Sequence, residues 1–305
     1  MHRVRTDGAY KTPVFVVGTP RSGTTLLQAI LVNSGIFFPM PETHFFSRVA
    51  YGVPERNLRK EDRQKILHIL TKKVRIEIDE TIIWRLESKI DIFEYIIGTF
   101  NREHKKTFLE KTPRHVFFYQ EIMKYYPDAR FVCLIREPKN IISSQITKTT
   151  NPEKSIARIS LLYNKIARSI LELRENDNVL LTRYEDLTNE PEQTTSSVFE
   201  FLNLPYDPSL VNNVAAPPGI VLPHETWKDR NLELNKIQQN DPDKWQAALS
   251  EYQANVVNWI TKSYASKFGY VLNYSSIAVC FGMMQDLSKL ASKGELRRVF
   301  SRVHG

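Results

Sequence analysis

The sequence predicts an α/β protein: a doubly wound parallel sheet flanked by helices, with a helical insertion. Three observations carry that prediction. Short runs rich in β-branched and aromatic residues alternate along the chain with amphipathic helical stretches, the pattern of a parallel sheet with right-handed crossovers. The first such run, residues 14–17, leads into a glycine-bearing loop and then into a helix-spaced apolar set at Leu26, Leu27, Ile30 and Leu31. That strand–loop–helix unit opens many parallel sheets. With 305 residues, 42% of them hydrophobic and 11% aromatic, the chain is long enough to bury a substantial core.

The elements follow in order. After the first strand and helix, residues 47 to 106 read as the insertion. Its stripes at Ile66, Leu67, Ile69 and Leu70, at Ile82, Ile83 and Leu86, and at Ile92, Phe93, Ile96 and Ile97 predict short amphipathic helices. It carries no nucleotide motif and is expected to help shape a substrate site. Residues 107–110 read as the second strand and residues 130–135 as the third. Arg136-Glu137-Pro138 comes next, with Pro138 suited to the first turn of a helix. A long amphipathic helix over 153–175, a fourth strand over 178–183, helices over 192–203 and 243–268, and a Pro-rich loop over 215–223 complete the reading. No repeat or linker interrupts residues 1–274, which are read as one domain. Residues 275–305 are read as a basic amphipathic tail.

Composition narrows the function classes. Lys and Arg number 42 against 34 Asp and Glu, a formal charge of +8 that suggests an anionic ligand or surface. The apolar content excludes a disordered chain. Two cysteines, Cys133 and Cys280, exclude a disulfide framework and leave too few thiols for a structural zinc site. Cys133 lies inside an apolar run and reads as a buried strand thiol. Residues 1–11 are polar, and no apolar run reaches the ~18 residues needed to span a bilayer. A cytoplasmic location is therefore expected. Basic residues outside the tail are scattered rather than interleaved with aromatics, so nucleic acid is not expected as a partner. In the tail, Lys289, Lys293, Arg297, Arg298 and Arg302 face only Glu295, among Leu287, Leu290, Leu296, Val299 and Phe300. Two readings stand there: a helix lying peripherally on an anionic membrane, or a helix packed on the domain or on a second subunit. Nothing in the sequence reports the oligomeric state.

The loop is the most informative local feature. Gly18-x4-Gly23-Thr24-Thr25 has P-loop spacing, with Thr24 in place of the usual lysine. Consecutive backbone N–H groups and a helix N-terminus still converge on one anion. Arg21 adds a fixed cation, and Ser22, Thr24 and Thr25 add hydroxyls. Loss of the lysine, with no convincing acidic Mg²⁺ ligand at a strand end, argues against a kinase or ATPase. The loop suits a phosphate-like donor handled without a metal.

Thr19-Pro20-Arg21-Ser22-Gly23-Thr24-Thr25-Leu26-Leu27 resembles the 5′-phosphosulfate loop of sulfotransferases that use 3′-phosphoadenosine-5′-phosphosulfate (PAPS). Further stretches match that family in order. Arg136-Glu137-Pro138, with Ser144 eight residues after the arginine, resembles its 3′-phosphate site; a planar guanidinium fork suits that task. Pro41-Glu42-Thr43-His44-Phe45-Phe46 resembles the acidic segment of heparan-type glycan sulfotransferases. Tyrosylprotein sulfotransferases place a Glu-Thr at the same offset. Glu110-Lys111-Thr112-Pro113 resembles the glycan enzymes' lysine segment. Pro113 stands where aryl and steroid sulfotransferases carry a catalytic histidine, which shifts the role of base to Glu42. Asp241-Pro242-Asp243-Lys244-Trp245 matches more weakly, without the usual glycine, and contributes Lys244. Tyr184 either approaches the adenine or packs as a tyrosine corner. The resemblance spans residues 14 to 270; residues 47–106 and 275–305 match no named segment.

The resemblance implies in-line transfer of a sulfuryl group from PAPS to an acceptor hydroxyl or amine, with 3′,5′-ADP as product and no metal. Glu42 is the implied base, a role typically worth ~10²- to 10⁴-fold. Lys111 and Arg21 are implied to neutralise the leaving oxygen. The acceptor leans towards a saccharide or lipid-linked saccharide, with a peptide tyrosine or a small natural product also open. His44, Trp84, His224, Trp227 and Arg230 are candidate acceptor contacts. His115 is either a second base or a helix-face residue. The competing readings are a P-loop kinase or nucleotide phosphotransferase, and a non-catalytic nucleotide-binding module.

Overall fold

The computed structural model describes residues 12–101, 108–148, 155–221 and 235–291. His224, Trp227, Arg230 and the tail beyond Ala291 lie outside these residues. The chain groups into two compact units, residues 1–134 with 173–239, and residues 135–172 with 240–305.

The elements run β1 (Val14–Gly18), α1 (Thr24–Asn33), α2 (Lys60–His68), α3 (Glu80–Ile83), α4 (Lys89–Phe100), β2 (Leu109–Lys111), α5 (Tyr119–Tyr125) and β3 (Arg130–Ile135). They continue through α6 (Pro138–Lys148), α7 (Ile156–Leu173), β4 (Val179–Arg183), α8 (Tyr184–Asn189), α9 (Pro191–Phe201), α10 (Glu251–Ala265) and α11 (Ser276–Ala291). The strands form one sheet in the order β2-β1-β3-β4. β1 pairs in parallel with β2 on one side and β3 on the other. The order therefore reverses at β1, and the carboxyl ends of β1 and β3 mark the topological switch point, the position where such folds bind ligands.

Every residue of β1 is buried, as expected when both faces of a parallel sheet are covered. Strand alternation splits its side chains between two cores. Val14 and Val16 join Leu26, Leu27, Ile30, Val132 and Leu134 on one face. Phe15 points the other way, stacked on Phe131 with centroids 5.2 Å apart and edge-on to Phe108 at 5.4 Å. Full burial of a side chain of this size contributes roughly 1.5–3 kcal/mol.

The insertion forms α2, α3 and α4, as its stripes predict, with two additions that periodicity does not signal. Residues 45–49 and 69–74 are π-helical turns. α4 begins at a capping box in which the Ser88 hydroxyl accepts from the Asp91 N–H and the Asp91 carboxylate accepts from the Ser88 N–H.

Two expected boundaries move. The second strand starts at Leu109 and extends to Lys111, because the register pairs Val14, Phe15 and Val16 with Leu109, Glu110 and Lys111; residue 107 lies outside the described residues. The single helix expected over 243–268 is broken. A 3-10 turn spans Lys244–Ala247, and α10 restarts behind Ser250. The Ser250 hydroxyl accepts from the Gln253 N–H at 3.3 Å and the Gln253 side chain accepts from the Ser250 N–H at 2.9 Å. This box satisfies N–H groups that would otherwise lack partners, so the chain starts a new helix there.

Candidate active site

The loop after β1 is held at the switch point by backbone contacts. The Thr19 N–H donates to the Leu134 carbonyl at 2.9 Å. Gly18 (φ 131°) lies so close to β3 that a Cβ there would sit 2.0 Å from the Leu134 oxygen, so no side chain is tolerated. Arg21 takes a left-handed conformation (φ 73°), costly for a non-glycine residue and typical of ligand clamps. The buried Ser22 hydroxyl donates to the Thr19 carbonyl at 2.6 Å and lies 3.3 Å from the Leu134 carbonyl. Expected among the donors to the anion, it is turned inward here and closes the loop.

Gly23 caps α1 in the left-handed region (φ 84°). A Cβ on it would lie 2.6 Å from the Tyr184 ring. Tyr184, the first residue of α8, thus packs on the loop itself. The N-terminus of α1 has no side-chain cap and no acidic residue in its first turn. Its first N–H groups have no intrahelical partners by helix geometry. The positive end of the helix therefore stands open to an external anion.

The loop lacks the P-loop lysine, and β2 delivers an ammonium to the same place. Lys111 is fully buried. Its Nζ donates to Glu42 Oε1 at 2.6 Å and to Thr25 Oγ1 at 3.1 Å. Burying a charge is costly unless it is paired, and Glu42 provides the pair. The second oxygen of Glu42 lies 3.5 Å from His44 Nε2. Burial lowers the pKa of His44, against a smaller opposing effect of Glu42, so its imidazole is neutral at physiological pH and able to accept a proton. The structure thus brings Glu42, His44, Lys111, Thr24 and Thr25 together at the start of α1.

Strand alternation explains how this segment is gripped. Glu110 and Lys111 are consecutive in β2 and point to opposite faces. Lys111 reaches Glu42 on the α1 side. Glu110, fully buried, reaches Thr43 on the other. Its Oε1 accepts from Thr43 Oγ1 at 2.7 Å, from the Thr43 N–H at 3.3 Å and from Thr112 Oγ1 at 2.6 Å. Those two threonine oxygens accept in turn from the Phe45 and His44 N–H groups, each at 3.2 Å. One carboxylate oxygen therefore orders the N–H groups of three successive residues after Glu42. The other oxygen pairs with His115 Nδ1 at 2.8 Å.

Burial alone would raise the Glu110 pKa. The charge and hydrogen bond of His115, with the Thr112 and Thr43 hydrogen bonds, reverse that and hold it at about 2. His115, considered as a base or a helix-face residue, is instead a fully buried partner of Glu110, edge-on to Phe46 at 5.3 Å. Before Glu42, the buried Gln28 of α1 donates to the Met40 carbonyl at 2.6 Å. After His44 (φ 50°), Phe45 and Phe46 anchor on Phe93 of α4 at 4.9 and 5.0 Å.

Trp84 is exposed just beyond α3, and among the described residues no hydrogen bond or ring contact joins it to Glu42 or Lys111. The second unit carries Arg136, Ser144 and Lys244. Arg136 is buried, with Nη2 3.5 Å from Asn240 Oδ1. Glu137 caps α6 by accepting from the Asn140 N–H at 2.9 Å. Asn140 donates to the Pro242 carbonyl at 3.1 Å, and Lys139 sits 4.6 Å over the Trp245 ring. The structure thus packs the Lys244 segment against the start of α6, where Arg136 lies, while Lys244 itself is exposed.

A family model described as "Sulfotransferase family" matches residues 13–208. Curated relatives include protein-tyrosine sulfotransferase A of Caenorhabditis elegans, 24% identical over 250 residues that cover 78% of this chain and 60% of that one. Nodulation protein NoeE of Sinorhizobium fredii is 22% identical over 281 residues, covering 84% and 65%. The chain spans less than two thirds of the length of each. Among solved structures, the sulfotransferase domain from the curacin biosynthetic pathway superposes with a TM-score of 0.60 at 21% identity, covering 87% of this chain and all of that one. The sulfotransferase domain of the Synechococcus PCC 7002 olefin synthase gives 0.57 at 20% identity over 87% and 96%. These two likenesses show the fold.

Proposed function

The chain belongs to the sulfotransferase family, and from that premise we propose that it moves a sulfuryl group from PAPS to a hydroxyl or amine on a saccharide or lipid-linked saccharide. One observation carries the reading: the buried Lys111 ammonium bridges Glu42 and Thr25 at the uncapped N-terminus of α1. The loop fits the donor's anionic 5′ end, since it offers a helix N-terminus without a side-chain cap and two glycine positions that leave no room for a Cβ. The donor supplies the sulfuryl group and leaves as 3′,5′-ADP.

The chain's residues divide the remaining work. Arg21, Gly23, Thr24 and Thr25 hold the anion, and Ser22 keeps their loop closed. Lys111 offers a fixed, desolvated cation to charge that develops on the leaving oxygen, where preorganised electrostatics count most. Glu42 takes the proton from the acceptor, with neutral His44 beside it as the orienting group or second acceptor of that proton. The resemblance assigns the 3′-phosphate to Arg136 and Ser144, with Lys244 in support, and the adenine side to Tyr184. The proposed location is the cytoplasm. Cys133 and Cys280 stand as free thiols, which suits a reducing compartment.

A peptide tyrosine is the second acceptor class, favoured by the name of the C. elegans relative. The test is transfer of ³⁵S from labelled PAPS to panels of oligosaccharides, lipid-linked saccharides and tyrosine peptides, without added metal. Label on a saccharide, lost in Glu42→Gln, is the expected result. Label on peptides alone would move the acceptor to tyrosine. Failure to label anything, or transfer of phosphate from ATP with Mg²⁺, would overturn the proposal.

A further inference from the structure

The second unit exposes an unusual amount of apolar surface in one place. Of the twelve large hydrophobic side chains exposed among the described residues, eight lie between Tyr252 and Met284. They are therefore concentrated on α10, α11 and the turn between them, and such concentration marks an interaction surface rather than ordinary scatter.

The pairing of the two helices shows which side faces outward. Gly282 of α11 sits against α10, where a Cβ would lie 2.4 Å from the Tyr252 carbonyl oxygen. Asn255 accepts from the Ser275 N–H at 2.6 Å, and Asn258 donates to the Asn273 carbonyl at 2.7 Å. Val279 and Gly282 are buried in that contact. Ile277, Phe281 and Met284, at i, i+4 and i+7, are left 73%, 52% and 63% exposed. The Tyr252 ring meets Phe281 at 5.7 Å. Trp259 lies two turns along the same face of α10, 46% exposed. The described side chains from Glu251 to Met284 include Lys262 and Lys267 against Glu251 alone, and the sequence after Met284 adds five Lys and Arg residues against two Asp and Glu. Lys262 stands 5.3 Å over the exposed Tyr274 ring.

We propose that the α10–α11 hairpin docks on an anionic lipid bilayer. Ile277, Phe281 and Met284 enter the upper acyl region. Tyr252 and Trp259 sit at headgroup level, where amphipathic rings are favoured, and Lys262 and Lys267 meet lipid phosphates and carboxylates. Among the described residues no helix is long and apolar enough to cross a membrane, so the contact lies on the surface. A second copy of the chain is the less suitable occupant, because each copy carries the same formal charge of +8, which an anionic surface attracts and a like copy repels. The inference is independent of the acceptor and of the catalytic reading.

Sedimentation of the full chain with phosphatidylcholine vesicles, with and without phosphatidylserine, tests it. The chain is expected to bind only the anionic vesicles, more weakly as salt shortens the screening length below ~10 Å. Phe281→Glu with Met284→Glu is expected to cut binding by about tenfold or more, with an unchanged thermal melt by circular dichroism. Should that pair melt lower, Ile277→Ser serves as the milder variant. Absent binding, equal binding to neutral vesicles, or binding indifferent to these substitutions would overturn the inference. A dimer that Phe281→Glu and Met284→Glu dissociate, in a chain that ignores vesicles, would overturn it as well.

Discussion

Replacing Glu110 by Gln keeps the side chain's shape and removes its charge. The native carboxylate is fully buried and held at about 2, against an ordinary value of 4.5. The unfolded chain therefore takes up a proton near pH 4.5 and the folded chain only near pH 2. A lowered carboxyl stabilises the fold fully above the unfolded value and loses that contribution as pH falls through the folded one. The gap corresponds to ~3 kcal/mol in favour of the native protein, a large share of a typical net stability of ~5–15 kcal/mol. Urea unfolding followed by circular dichroism measures it. At pH 7 Glu110→Gln should be less stable by ~3 kcal/mol, and the difference should shrink to less than half by about pH 3. All other carboxylates are common to both proteins and cancel in the comparison. Parallel pH profiles, or a deficit below ~1 kcal/mol at pH 7, would refute the claim that a charged Glu110 organises the Glu42 segment.

Other consequences follow from the same cluster and loop. Glu42→Gln should slow transfer by ~10²- to 10⁴-fold and, by removing the carboxylate that pairs with the buried Lys111 ammonium, destabilise the fold by ~3–5 kcal/mol. Adding Lys111→Met should restore most of the stability in urea and none of the turnover, which separates structural from chemical loss. Gly23→Ala forces a Cβ to 2.6 Å from the Tyr184 ring at a positive φ; 3′,5′-ADP affinity should fall, with partial recovery in Gly23→Ala/Tyr184→Ala. Thiol titration should find one reactive cysteine in the native chain and two in denaturant. Burial pushes Cys133 up to about 12, whereas Cys280 is exposed.

The parts of the fold legible in the sequence are those fixed by short-range chemistry. The run from Val14 through the glycine loop to Leu27 reads directly, because the strand, the two glycines and the helix stripe lie within 14 consecutive residues. Glu42 and Lys111 were identifiable through resemblance, and the structure brings them within 2.6 Å. The role of Glu110 was not legible. It depends on the register that aligns Glu110 with Phe15 and on the passage of residues 42–44 across the end of β2, and no local pattern encodes either. A faint signal existed in the run Glu110-Lys111-Thr112, since a charged pair in a strand otherwise built to be buried demands partners. Ser22 illustrates the converse: the motif marks its position, and only the closed loop shows its hydroxyl turned inward. The break before α10 was signalled by Ser250 and Gln253, a capping box that the longer apolar period outweighed.

Calorimetric titration with 3′,5′-ADP, with and without Mg²⁺, on the native chain and on Arg136→Ala separates a sulfotransferase from a kinase. Binding should be unchanged by chelating the metal and at least about tenfold weaker in the variant, as loss of a charge-assisted bidentate contact implies. No binding, or preference for ATP with Mg²⁺, would contradict the sulfotransferase reading and return the loop to a kinase.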